Sequence, residues 1–172
     1  MHKTDWQPTS PLQRDWRQRD WLALAGFLAL NLAISAAGGW VTAGSVKIWY
    51  PTLEKPAFNP PDWIFAPVWT LLFILMAVSA WLIWRRREST GAKLALALYA
   101  MQLALNLLWS VSFFGLQRPG LALGVLILLF AAIAGTILRF RRIDPWAAVL
   151  LLPYLAWTGF AGVLNGSIVA LN

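Results

Sequence analysis

Five long stretches of this chain hold almost nothing but apolar side chains, and that pattern decides what it can fold into. They run over residues 21–41, 64–84, 92–114, 121–138 and 146–171. Lys93, at the edge of the third, is the only Asp, Glu, Lys, Arg or His in any of them. A helix that crosses a bilayer needs about 20 mostly apolar residues. Inside lipid each segment must satisfy its own backbone N–H and C=O groups, so helices are the expected form. The runs are too long and continuous for barrel strands, which alternate over about ten residues. The expected fold class is an all-α membrane protein, a bundle of five transmembrane helices. A charged fraction of 12% agrees with this, since soluble domains carry about 25%. The 172 residues suit one domain, with a polar, basic tail over 1–20 and a transmembrane domain over 21–172. The tail does not read as a signal peptide, because no small-residue cleavage site follows a short apolar core.

The net charge of +7 could suggest nucleic acid, but its placement suggests membrane topology. Five helices put the two ends of the chain on opposite sides. One side holds eleven basic residues: Lys3, Arg14, Arg17, Arg19, Arg85, Arg86, Arg87, Lys93, Arg139, Arg141 and Arg142. The other holds three, Lys47, Lys55 and Arg118. The positive-inside rule then predicts a cytoplasmic N-terminus in a bacterial inner membrane. The chain has no cysteine, and its one histidine is His2. Thiol catalysis and a thiolate or histidine metal or haem site are therefore not expected, and no cofactor is implied.

The connection between the first two runs reads WYPTLEKPAFNPPDWIFAPVWT from Trp49 to Thr70. An ordinary connection would be short and polar. This one carries Trp49, Tyr50, Trp63 and Trp69 with five prolines, Pro51, Pro56, Pro60, Pro61 and Pro67. Prolines fix the backbone, and Pro61 or Pro67 can open the next helix. The stretch is expected to form a stiff aromatic lid over one end of the bundle.

Depth sorts the twelve tryptophans. Trp21, Trp40, Trp63, Trp81, Trp84 and Trp146 fall near predicted helix ends, where indoles favour the interface. Trp6 and Trp16 lie in the tail. Trp49 in the loop and Trp69, Trp109 and Trp157 within the runs remain, and a buried indole N–H needs a partner. Gln102, Asn106 and Ser110 share one face of the third helix by their four-residue spacing. Thr158, Asn165 and Ser167 are further polar candidates in the fifth. Such a set fits interhelical hydrogen bonds, an internal pocket with aromatic walls and a few amides, or both. Pro153 is expected to kink the fifth helix. Small residues recur every four positions at Ala25, Ala29, Ala33 and Ala37, at Ala100 and Ala104, and at Gly120 and Gly124. These faces suit close helix packing, expected within the monomer first and between copies second. No acid–base pair, activated nucleophile or phosphate-binding glycine loop is present. The absence of intramembrane ionisable groups also argues against a proton-driven pump.

The stretches WYPTLEKPAFNPPDWIFAPVWT, NLLWSVSFF and PYLAWTGFAGVLN together resemble the TspO/MBR family, in the same order and at the expected spacing. The resemblance implies a five-helix bundle whose first loop closes a ligand cavity. By motif, Trp49, Trp69, Asn106, Trp109, Trp157 and Ala161 would line it. It also implies a receptor or sensor for tetrapyrroles such as protoporphyrin IX, with sterols and benzodiazepine-type molecules as further ligands. Two alternatives follow from it, a porphyrin transporter and a light-dependent porphyrin-degrading enzyme in which Trp69 and Trp157 would carry the chemistry. Membrane lipid, a homodimer through the third helix and an outer-membrane location are also implied, and nucleic acid is not. Animal members carry a sterol pattern with Tyr and Arg after the LN of the last helix. This chain reads LNGSIVALN there and lacks both. Val46, Tyr50 and Lys55 fit a looser sterol spacing in the loop.

Overall fold

The computed structural model describes residues 11–172, with side chains from residue 19 onward. It contains six α-helices: α1 (Pro11–Ile48), α2 (Phe65–Arg85), α3 (Ala92–Ser110), α4 (Pro119–Phe140), α5 (Pro145–Leu150) and α6 (Leu152–Leu171). Among the described residues five stretches are long and apolar enough to cross a membrane: Arg19–Ile48, Asp62–Arg85, Ala92–Gly115, Pro119–Phe140 and Pro145–Leu171. Helices α5 and α6 share the last of these. The expected all-α membrane bundle is therefore what the chain forms. The main pairings are α1 with α2, α3 with α4, and α4 with α6.

The core is apolar at both ends but pinned by polar pairs. Met76, Ile83, Leu129, Ile133, Leu151 and Tyr154 fill its larger cluster. Tyr50, Phe113, Ala122, Leu164 and Ile168 form a second cluster beneath the first loop. Asn31, the only amide in the first apolar run, is buried and donates from Nδ2 to Tyr99 Oη at 2.6 Å. Ser79 Oγ donates to the Ala147 carbonyl at 2.6 Å. Lipid competes for neither bond, so each fixes the register of two helices. A close approach of α4 and α6 depends on Gly162, where a Cβ would lie 3.0 Å from Leu126 Cδ2.

The structure corrects several boundaries. The tail expected over 1–20 is helical from Pro11, a residue tolerated in a first turn because its missing N–H has no partner there; residues 1–10 lie outside the described residues. The first helix does not end at 41 but runs seven residues further, to Ile48. No proline interrupts it before Pro51, and Ser45 Oγ ties this last turn to the Phe114 carbonyl. Trp40 is therefore not at a helix end; it stands 83% exposed on the lipid side of α1. Trp21, by contrast, stacks on Trp81 at 6.2 Å near the opposite end, and Trp81 Nε1 donates to the Asp20 carbonyl. The expected kink at Pro153 is a break. Leu151 bonds back to the Ala148 carbonyl, three residues away, and α6 restarts at Leu152.

The small-residue faces do not pack inside the monomer as expected. Ala25, Ala29, Ala33, Ala37, Ala100, Ala104, Gly120 and Gly124 are all exposed. Four-residue spacing places them on common faces but does not say which way a face points. The glycines that make the closest approaches, Gly162 against Leu126, Gly115 against Val41 and Gly159 against Phe130, belong to none of these faces.

Candidate functional site

A cavity of about 460 Å³ lies in the half of the bundle nearest the first loop. Its volume is in the range of sites for drug-sized molecules. Helix α1 contributes its small face, from Ile34 through Gly38 and Thr42 to Val46. Helix α2 contributes Phe65, Trp69 and Phe73, which the four-residue period places in one column. Helix α3 contributes Asn106, Trp109 and Ser110, and α6 contributes Ala161, Leu164 and Asn165.

Trp69 and Trp109 form the centre of the wall, stacked with ring centroids 6.3 Å apart and 29° between planes. Trp69 also meets Tyr154 edge-on at 6.2 Å. Trp109 continues to Phe113 at 5.8 Å. Phe113 lies in a π-helical turn, Val111–Gly115, that ends α3. A π turn inserts one residue into the helical register. Here it carries Phe113 and Phe114, whose rings sit 4.8 Å apart, and both line the cavity.

Two amides hold this wall. Asn106 Nδ2 donates to Tyr154 Oη at 3.0 Å. Trp109 Nε1 donates to Asn165 Oδ1 at 3.3 Å, and Asn165 Nδ2 donates to the Pro119 carbonyl at 2.9 Å. The indole partner that a buried tryptophan requires is thus Asn165. Gln102 is fully buried one turn below Asn106 but lines no part of the cavity. Ser167 returns its hydroxyl to the Val163 carbonyl of its own helix.

The loop closes the site as a lid. Tyr50 is buried against Phe113 and Phe114, and its hydroxyl donates to Asn59 Oδ1 at 2.9 Å. Lys55 Nζ donates to the Tyr50 and Leu53 carbonyls at 2.8 and 2.9 Å and stands over the Tyr50 ring. Tyr50 and Lys55 thus spend their polar groups on the loop's own fold, which leaves the looser sterol spacing without free partners. Asn172 bonds both backbone groups of Glu54, tying the loop to the end of α6. Burial, and next the Asp62 carboxylate, push the Tyr50 phenol above its ordinary value of 10.0.

Of the six residues assigned to the cavity by motif, Trp69, Asn106, Trp109 and Ala161 line it. Trp49 and Trp157 do not. Trp49 lies behind Phe113, at 5.6 Å, and Trp157 lies behind Phe65, at 5.8 Å. The phenylalanines occupy the inner layer and the two indoles brace them. Among the described residues, the buried Trp157 Nε1 has no partner. Residues that the sequence did not single out include Phe65, Phe73, Phe113 and Phe114. The first two stand four residues on either side of Trp69, a spacing that could have found them. Nothing in the sequence marks the π turn.

A polytopic helical membrane protein with an aromatic cavity inside the bundle, lidded at one end by a proline-stiffened loop, is the class these features define. The TspO/MBR family model matches residues 27–171. The tryptophan-rich protein TspO of Chlorobaculum tepidum is 43% identical over 155 residues, 88% of this chain and 96% of that one. The translocator protein of Bos taurus is 41% identical over 147 residues, 84% and 87% of the two chains. The tryptophan-rich sensory protein of Cereibacter sphaeroides is 40% identical over 156 residues, 89% and 93%. The chain belongs to the TspO/MBR family and is a multi-pass integral membrane protein.

Proposed function

We propose that this protein is a membrane receptor or sensor that binds a tetrapyrrole, protoporphyrin IX or a close relative, in the cavity beneath the first loop. The observation that carries the reading is the stacked Trp69–Trp109 pair lining a 460 Å³ cavity. Paired indole faces suit a flat conjugated ring, because offset stacking adds to the area buried. The relatives named as sensory and translocator proteins support a receptor role. Sterol is the weaker ligand in this reading, since the chain lacks the Tyr and Arg of the animal pattern. Residence in a bacterial inner membrane, with the N-terminus cytoplasmic, is part of the proposal and rests on the charge bias.

Titration of protoporphyrin IX into the purified protein in the dark tests it. Tryptophan fluorescence should fall saturably, and Trp109→Ala should weaken binding by roughly tenfold, the loss of one stacking face and its bonded amide. Absence of saturable quenching at micromolar pigment overturns the tetrapyrrole reading. Illuminating the saturated sample separates receptor from enzyme: stable absorbance is expected, and bleaching that is lost in Trp69→Phe would assign catalysis instead.

A further inference from the structure

The cavity is open on one side. On α1, Gly39, Ala43 and Lys47 follow one another at four-residue spacing, and Asp62, Ala66 and Thr70 do the same along the start of the second span. All six line the cavity and all six are exposed. The two spans run in opposite directions, so Lys47 and Asp62 share one end of the opening and Gly39 and Thr70 the other. The helices close against each other further down, where Trp21 stacks on Trp81 and Arg85 Nε pairs with Asp20 at 3.4 Å. The result is a sideways slot between α1 and α2, narrow in side chains and facing the bilayer.

Among the described residues, Lys47 and Asp62 are the only charged ones on the cavity wall. Among the described residues neither forms an ion pair or a side-chain hydrogen bond, in contrast to Lys55, whose ammonium is committed to two carbonyls. The Arg19–Ile48 stretch is 30 residues long, about 45 Å at 1.5 Å per residue, against a hydrocarbon core of about 30 Å. Its last turn therefore reaches the headgroup layer, where an ammonium is tolerated. The deeper wall is aromatic and amide, and an ionised group taken there would lose its hydration without a counter-charge. An anionic group on a ligand must stay at the rim, and Lys47 is the cation there. Asp62 repels a second anion on the facing edge.

We propose that Lys47 anchors the carboxylate of an amphipathic ligand that enters the cavity sideways from the bilayer, through the slot between α1 and α2, with Asp62 setting which edge of the ligand is charged. This rests on the tetrapyrrole reading above and adds to it the ionic end of the ligand and the residue that selects it.

The test compares protoporphyrin IX with its dimethyl ester, which keeps the ring and removes both charges. The full-length protein is used in phosphatidylcholine nanodiscs. Lys47→Met should raise the Kd for the acid by roughly tenfold and leave the ester unchanged, while Lys47→Arg should behave like the parent. Asp62→Asn should tighten the acid alone, and added salt should shrink both effects. Equal effects of Lys47→Met on acid and ester, or none on either, overturn the anchor and leave the tetrapyrrole reading standing. Failure of the parent protein to bind either ligand overturns both. A lipid phosphate offers the same chemistry as a carboxylate. Equal acid affinity in phosphatidylcholine and phosphatidylglycerol discs is expected; a loss in phosphatidylglycerol that disappears in Lys47→Met would assign the ammonium to lipid and overturn the assignment to the ligand.

Discussion

Asn165 shows how much one side chain can hold in a medium without water. Its carboxamide accepts from Trp109 and donates to the Pro119 carbonyl, so it joins α3, α4 and α6 at the cavity wall. Asn165→Ala leaves a buried indole N–H and a carbonyl unpaired. That should cost about 1–3 kcal/mol and lower the thermal unfolding midpoint in detergent, whereas Ser167→Ala, which removes only a bond within one helix, should be near neutral. Tyr50 makes a second residue-level case. Its phenol is held protonated by burial and by Asp62. A value raised above 10.0 means that its contribution to lid packing is complete below that pH and is lost as pH rises through the raised value. Thermal stability should thus fall less steeply above about pH 10 in Tyr50→Phe than in the parent, and the two curves should run parallel at neutral pH. Parallel curves throughout would show that the phenol does not matter to the lid.

Helices meet at places that spacing alone does not reveal. Gly162 and Gly166 sit one turn apart on α6, yet a Cβ at the first would lie 3.0 Å from Leu126 and a Cβ at the second would meet nothing within 4 Å. Gly162→Val should therefore destabilise by about 1–3 kcal/mol through overpacking, and Gly166→Val should not, as read by thermal unfolding of the two variants side by side. The same contrast explains what the sequence could and could not tell. Apolar runs decide the spans, because no other structure satisfies the backbone in lipid. Trp69, Asn106 and Trp109 could be picked out, because a polar or amphipathic group in a lipid-buried helix has few places to go. The orientation of the Ala25–Ala37 face could not, because lipid is as apolar as a protein core and the sequence carries no inside–outside contrast at such positions. Trp49 and Trp157 were placed one layer too far in, since the residues that displace them, Phe65 and Phe113, owe their positions to the bend into α2 and to the π turn. The extra turns of α1 were missed because Thr42, Gly44, Ser45 and Lys47 dilute the apolar run after Val41 without ending the helix.

At the scale of the whole molecule, exposed helix faces bear on pairing and the charge distribution bears on orientation in the membrane. We propose that copies of this chain pair through α3, whose outward face carries Leu94, Ala97, Ala100, Met101, Ala104 and Leu108, all exposed. Ala104→Trp should then shift the protein from dimer to monomer in sedimentation measured in detergent, with pigment binding retained. Topology can be read more directly. The absence of native cysteine makes every introduced thiol unique. Glu54 is exposed in the lid, and Glu88 is 96% exposed in the turn between α2 and α3; one span separates them, so they lie on opposite sides. With eleven basic residues on the Glu88 side and three on the other, the charge rule predicts that Glu88 faces the cytoplasm. A membrane-impermeant maleimide added to intact spheroplasts should label Glu54→Cys and spare Glu88→Cys until the cells are lysed. The reverse pattern would turn the protein over and put the lid, Lys47 and the mouth of the slot on the cytoplasmic side. Any carboxylate that Lys47 holds would then be drawn from the leaflet facing the cytoplasm, and the same cavity would sample the cell's own pool of amphipathic acids instead of an external one.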